Sequence, residues 1–204
     1  MLYTFFHATN MSGMRVSYIF CALPYAASFC EDLEYGYVRY QSIRGSLKRY
    51  VAAKVSVIYL VSVATLILGS LIFVCLCKIQ GPWTGPAMGG MGGTYEGLIE
   101  RGHYVWYCVF YTLQLGLLAG ILSVLSALFS LYITNKAMVF VLPVLIYQIL
   151  GEAADSGTFT VYAFYAYNRL FEKDWQNLLC LVFVSIGFVS VIACGIYRKL
   201  KTRM

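Results

Sequence analysis

The sequence predicts an all-α fold, a polytopic α-helical membrane bundle of about five transmembrane helices with a short cytoplasmic surface helix. Two observations carry this. Five apolar runs, Val16–Cys30, Val55–Cys77, Tyr104–Thr134, Ala137–Gly151 and Leu178–Tyr197, contain no Asp, Glu, Lys, Arg or His. Positive charge is concentrated in alternate gaps between them. Composition agrees: 60% of residues are hydrophobic and 12% charged, against roughly 45–50% and 25% in soluble domains. At 204 residues the chain is one domain's worth.

An apolar run of about 18 or more residues is long enough to cross a bilayer as a helix. Val55–Cys77, Tyr104–Thr134 and Leu178–Tyr197 reach that length. The shorter runs hold Pro24 and Pro143, and charge is the argument that they also cross. The gap Glu31–Lys54 holds Arg39, Arg44, Lys48, Arg49 and Lys54, and the tail holds Arg198, Lys199, Lys201 and Arg203. Together these are nine of the 15 basic residues. Basic residues near span ends favour the cytoplasmic side. Both segments lie inside only if an even number of crossings separates them, and four runs do. The gaps 78–103 and 152–177 then form outer loops, Asn135-Lys136 makes a tight inner turn, and the C-terminus is cytoplasmic. Val16–Cys30 runs inward from an external N-terminus. An external start with no preceding apolar run suggests a missing first span, with a late start favoured over a natural five-span protein. Met1–Ala8 lacks the basic start and cleavage site of a signal peptide.

In the inner segment 31–54, Glu31, Asp32 and Glu34 cluster where carboxylates favour a helix N-terminus. Tyr37, Tyr40, Ile43 and Leu47 recur at helical spacing. The reading is a surface helix over Glu34–Ile43, a break at Gly45-Ser46, and a helix capped by Ser46 that runs through Lys48, Arg49 and Lys54 into the next span. An interfacial helix tied to lipid by its basic residues is the alternative.

The first outer loop carries Gly89-Gly90-Met91-Gly92-Gly93, but no phosphate-binding frame occurs anywhere in the chain. A short outer helix over Thr94–His103, capped by Thr94, is expected. Tyr104–Thr134 would measure about 46 Å as one helix. Within it Gly116 and Gly120 form a GxxxG that Ser123, Ala127 and Ser130 extend. Small residues let helices approach in lipid, so Gly116, Gly120 and Ser123 mark a packing face, either within the bundle or at a subunit interface. Gln114 and Gln148 are expected to make interhelical hydrogen bonds. Thr158–Tyr167, with five aromatics in ten residues, reads as a segment dipping into the outer interface.

No catalytic constellation emerges. His7 and His103 are isolated, and Glu152 and Asp155 have no His or Cys nearby. HExxH and G-x-S-x-G are absent. The seven cysteines lie inside apolar runs without metal-ligand spacing and read as small apolar residues. Neither a cofactor nor a metal is expected. The net charge of +6 flanks the runs, which argues for inner-surface anchoring to membrane lipid and not nucleic-acid binding.

The order of parts resembles the membrane subunit of a type-2 ABC transporter. Glu31–Lys54 is similar to the acidic–Gly–surface helix–Ser–basic–Lys pattern of that family, with Glu34, Gly36, Ser46, Arg49 and Lys54 at the matching positions. Leu131–Leu150 resembles its tight inner turn, and the outer aromatic segment, last span and basic tail complete the order. The family has six spans, so the first is lacking here. The resemblance implies a cell-membrane exporter permease, of bacterial type, working as a homo- or heterodimer with a second permease subunit. It implies separate ATPase subunits that hydrolyse ATP, with Glu34, Gly36, Tyr40, Arg44, Leu47 and Arg49 in the coupling segment. A small channel or a membrane scaffold without ATP coupling is the alternative; a membrane enzyme is disfavoured.

Overall fold

A computed structural model of the chain describes residues 5, 13–38, 40, 46–83, 94–133, 135–154, 171 and 173–203. Among them the regular elements are all helices: α1 Gly13–Ala22, α2 Ser28–Glu34, α3 Leu47–Gln80, α4 Glu96–Glu100, α5 Tyr104–Phe129, α6 Lys136–Ala154 and α7 Asp174–Arg203. Three of these are long and apolar enough to cross a membrane: Leu47–Ile79 of α3, Tyr104–Phe129, and Asp174–Thr202 of α7. That is compatible with a membrane protein. The apolar part of α6 is shorter, Ala137–Ile149.

Helix α5 is the axis. It packs against α1, α3, α4, α6 and α7. It is apolar nearly all round, as a helix surrounded by others must be; Leu115, Gly116, Ala119, Gly120 and Leu122 are all buried. Helices α3 and α7 each bury one side and leave the other open. Leu60, Leu68 and Ile72 on α3 and Phe183 and Val191 on α7 are exposed.

The helix ends fall into two groups. At one end, the start of α3 meets the end of α7, with Lys48 Nζ 6.0 Å from the Tyr197 ring centroid. Lys199 Nζ lies 4.3 Å from the centroid of Tyr132, in the turn after α5. At the other end, Trp83 stacks on Tyr104 at 5.5 Å, and Tyr95 N–H donates to Asp174 Oδ2 at 3.0 Å. The two most basic segments of the sequence therefore share one end of the bundle.

The cap expected at Ser46 is present, and Asn135 supplies a second that the sequence reading does not include. Ser46 caps α3, its Oγ accepting from Arg49 N–H at 3.4 Å. Asn135 Oδ1 accepts from Ala137 N–H at 3.0 Å as α6 begins.

Other boundaries depart from expectation. The run Val16–Cys30 is not one helix: α1 ends at Ala22, turns occupy residues 23–27, and α2 begins at Ser28. Pro24 explains the break, since it has no N–H to donate and its ring crowds the preceding turn. The nearby Cys21 carbonyl instead accepts the Ser62 hydroxyl of α3 at 2.9 Å. The helix expected over Glu34–Ile43 is also displaced. Glu34 is the last residue of α2, and Tyr35-Gly36 form a turn. Gly36 sits at φ +68, the left-handed conformation that ends helices and that glycine adopts most readily. The carboxylates consequently belong to α2 and do not open a surface helix; only Glu31 lies in the first turn of α2. Thr94 does not cap α4. Tyr95 occupies the cap position at φ 71, no side chain bonds there, and the helix spans only Glu96–Glu100. Finally, α5 stops at Phe129 and not at Thr134. Ser130 Oγ donates to the Ala127 carbonyl at 2.7 Å, a local bond that competes with helix continuation. The remaining helix is about 39 Å long at 1.5 Å per residue, against a hydrocarbon core of roughly 30 Å.

Candidate functional site

The densest polar constellation among the described residues ties α2 to the first turns of α3. Asp32 Oδ2 accepts from both Lys54 Nζ and Tyr50 Oη. Lys54 Nζ also donates to the Ser28 carbonyl at 2.8 Å, and it lies 4.9 Å from the centroid of the Phe29 ring. Phe29 is fully buried and meets Tyr50 edge-on at 6.2 Å. The ammonium therefore has a carboxylate, a carbonyl and two aromatic faces around it. Such a partly buried pair holds its place because the remaining hydrogen-bonding capacity of the ammonium is used, by the Ser28 carbonyl and the Tyr50 hydroxyl. Tyr50 and Lys54 are four apart on α3, and Ser28 and Asp32 four apart on α2, so each pair occupies one helix face.

This knot anchors one side of the segment singled out in the sequence. Glu34 is exposed at the end of α2, and Gly36 forms the turn after it. Beyond the turn, residues 37, 38 and 40 are helical. Tyr35, Tyr37 and Tyr40 are 77%, 47% and 67% exposed, while Val38 between them is buried. Leu47, the first residue of α3, is half-buried, and Arg49 is exposed. Arg44 lies outside the described residues. So do Arg39 and Ile43, the glycine-rich stretch 84–93 and the aromatic segment 158–167. The result is a row of exposed phenols on a segment fixed at both ends, by the Asp32–Lys54 knot and by the capped start of α3.

The small-residue face of α5 is occupied by α3. A Cβ on Gly116 would lie 3.3 Å from Val63 Cγ1, and one on Gly120 would lie 2.5 Å from Tyr59 Cδ2. Tyr59 Oη in turn bonds Ser185 Oγ of α7 at 2.9 Å. One tyrosine thus joins the three longest helices. Ser123 is buried, and its hydroxyl has no partner among the described residues. Gly116 and Gly120 therefore serve packing inside the chain at this face.

At the opposite end Tyr95 acts as a pin. Besides its N–H bond to Asp174, its Oη donates to Gln114 Oε1 at 3.1 Å, and its ring stacks on Phe110 at 5.7 Å. Burial, and secondarily the Asp174 charge, push its phenol pKa well above the ordinary value. The hydrogen bond expected of Gln114 is thus made to the turn before α4 and not to another long helix. Sequence reasoning missed Tyr59, Ser185, Tyr95 and Asp174. The left-handed conformation at Tyr95 has no sequence signal, since tyrosine is not a residue that favours it. Asp32 and Lys54 carry separate signals in the sequence, and their pairing depends on the break at Pro24.

No family model matches the chain, and no curated protein or solved structure is significantly similar to it. The resemblance to type-2 ABC permeases rests on the order of segments in the sequence alone. Among the described residues no group of three or more His, Cys, Asp or Glu is arranged so that it could hold a metal ion. What the arrangement offers is surface for contact: an exposed aromatic row, a polar knot that joins α2 to α3 beside it, and a glycine seam that joins α3 to α5.

Proposed function

We propose that the chain is the permease subunit of an ATP-driven exporter resembling the type-2 ABC class, and that it is driven through contact with separate ATPase subunits. It crosses a cell membrane five times, with α1–α2 as a broken crossing and α6 as a short one. The end carrying Lys48 and Lys199 is cytoplasmic, so the C-terminus is inside and the N-terminus of this sequence outside. A second permease subunit completes the substrate pathway.

One observation carries this reading: the exposed Tyr35, Tyr37 and Tyr40 sit beside a knot that binds their segment to the base of α3. A chain without a nucleotide site must receive work by contact. Force on this segment passes through Asp32–Lys54 into α3, then through Gly116 and Gly120 into α5 and through Tyr59–Ser185 into α7. Tyr40 and Arg44 supply the apolar and charged contacts to the ATPase, with Glu34, Gly36 and Leu47 shaping the segment. Arg49 belongs to the same segment but lies on the outward side of α3.

Purification from native membranes tests the proposal. The expected result is co-purification of a stand-alone ATPase, and transport in liposomes that requires ATP. ATP-independent currents from the chain alone would replace it with the channel reading.

A further inference from the structure

We propose that residues 94–103 form a lid over the end of the bundle opposite Lys48 and Lys199, latched by Tyr95 and hinged where α4 passes into α5. The lid is a property of the bundle and rests on no part of the ATP coupling.

The segment is tied together as one body. The Tyr95 carbonyl accepts from Leu98 N–H at 2.9 Å as α4 begins. At the other end of α4, Gly102 N–H donates to the Ile99 carbonyl at 3.0 Å, and His103 N–H donates to the Leu98 carbonyl at 2.8 Å. These are the paired bonds of a left-handed helix stop, with Gly102 at φ +74. His103, at φ −87 and ψ 57, then leads into α5 without a side-chain cap. A few residues at the end of an element are where a hinge absorbs its change of backbone angle.

The hold of this body on the rest of the bundle is narrow. Among the described residues, Tyr95 makes both the hydrogen bond that reaches into the middle of α5 and the one that reaches α7. Its Oη donates to Gln114 Oε1 at 3.1 Å, and its N–H donates to Asp174 Oδ2 at 3.0 Å. Its ring stacks on Phe110 at 5.7 Å. The remaining cover is apolar: Leu98 and Ile99, both half-buried, lie against the buried cluster that includes Tyr107, Tyr111 and Leu115 of α5. No residue of α4 itself is buried.

The closed arrangement also carries costs that opening removes. Tyr95 stands at φ 71, a conformation that crowds the side chain of any residue but glycine, and such strain concentrates at clamps and switch regions. Gln114 is fully buried, yet its Nε2 has no hydrogen-bond partner, and neither does the buried Thr94 hydroxyl beside Tyr95. A buried polar group without a partner bears the full cost of its lost hydration. Lifting the segment frees the Tyr95 backbone and admits water to both groups. An element with few outward bonds and few buried side chains belongs to the low-stability part of a fold, from which lids are drawn. The Tyr95–Gln114 bond is then the latch that sets the balance.

The test measures distances between paired nitroxide labels on the full chain in nanodiscs, without an ATPase. Cys75, Cys77, Cys180 and Cys194 are replaced by serine, which leaves only buried native thiols. One pair, Gly97→Cys with Leu60→Cys, reports the lid against α3; a Cβ at Gly97 meets open space, and Leu60 is exposed. A second pair, Leu60→Cys with Phe183→Cys, reports α3 against α7. The closed distance is expected to dominate without further substitution. Tyr95→Phe, which keeps the ring, is expected to raise the open-to-closed ratio of the first pair about fivefold, the usual worth of one hydrogen bond. Gln114→Leu is expected to do the same, and the double variant no more than either, because both act through one bond. The second pair is expected to keep its distance throughout, which also shows that the variants are folded. An unchanged first pair in both single variants would overturn the latch. Parallel shifts in both pairs would overturn the lid, since Tyr95 would then hold the whole bundle together.

Discussion

The Tyr59 ring fills the space that Gly120 leaves beside α5, and a Cβ at position 120 would lie 2.5 Å from Tyr59 Cδ2 and 2.6 Å from Cε2. The ring has little freedom to move away, because its hydroxyl is bonded to Ser185 of α7. The tight contact of α3 with α5 at Gly120 and the hydrogen bond from α3 to α7 therefore involve one side chain.

Gly120→Ala is expected to destabilise the bundle by about 1–3 kcal/mol, the range for overpacking a close contact. Gly116→Ala, whose Cβ would meet Val63 Cγ1 at 3.3 Å, is expected to cost less. Combining Gly120→Ala with Tyr59→Ala should show strong non-additivity, because the clash vanishes with the ring. Thermal unfolding in detergent of the two single variants and the double variant measures this.

Lys54→Ala removes the cation but leaves Asp32 partly buried. Breaking such a pair from one side costs about 3 kcal/mol, and Lys54→Ala should approach that loss. Replacing both partners, as Lys54→Met with Asp32→Leu, should cost clearly less, because no uncompensated charge remains. A denaturation series on the three variants reads the difference. Equal losses would mean that the knot stabilises through packing of the lysine stem and not through its charge.

Gly36 stands at φ +68, with open space where a Cβ would project. The cost of Gly36→Ala is therefore conformational, about 1–2 kcal/mol for a side chain in the left-handed region. Protease accessibility of residues 31–54 is expected to rise in this variant while helix content is unchanged. Gly36→Asn should fall between the two, since asparagine tolerates that conformation better than alanine.

Tyr95 has a phenol pKa raised by burial and by Asp174. A raised pKa in the fold means that the unfolded chain loses its proton first. The stability that Tyr95 contributes is thus fully present below about pH 10, the ordinary tyrosine value, and declines as pH rises beyond it. Tyr95→Phe should remove that part of the alkaline decline and also delete the bond to Gln114. The stability difference between wild type and variant, followed from pH 8 upward, should therefore shrink above about pH 10. A difference that stays constant would show that the hydroxyl acts only through its hydrogen bond.

The long apolar helices were legible because their signal is local: uninterrupted apolar residues, with Ser46 as a cap before one run. The GxxxG of α5 was legible as a packing face, but its partner was not, since nothing in the sequence pairs Gly120 with Tyr59. The break at residues 23–27 is hard to see in the sequence because hydrophobicity continues straight through Pro24 while the backbone does not. That displaced the next element as well: Glu34 was read as the start of a helix and is the end of one. The pin at Tyr95 was invisible because its three contacts are to residues 15 or more positions away, and its backbone conformation runs against its residue type. The spacing of Tyr37 and Tyr40 marks them as one stripe, and their exposure is seen only in the structure. The knot beside them required knowing that α2 folds back onto α3.

The central claim is that the segment around Tyr40 contacts an ATPase. The most direct measurement places a photoreactive benzoylphenylalanine at position 40 of the full chain in its native membranes and identifies what ultraviolet light attaches to it. The expected result is an adduct with a polypeptide that carries a nucleotide-binding P-loop, lost when Lys54→Ala loosens the segment and retained when the residue is placed instead at the neighbouring exposed Tyr37. Adducts with phospholipid alone at both positions would contradict it, and would make this segment an interfacial helix with no part in ATP coupling.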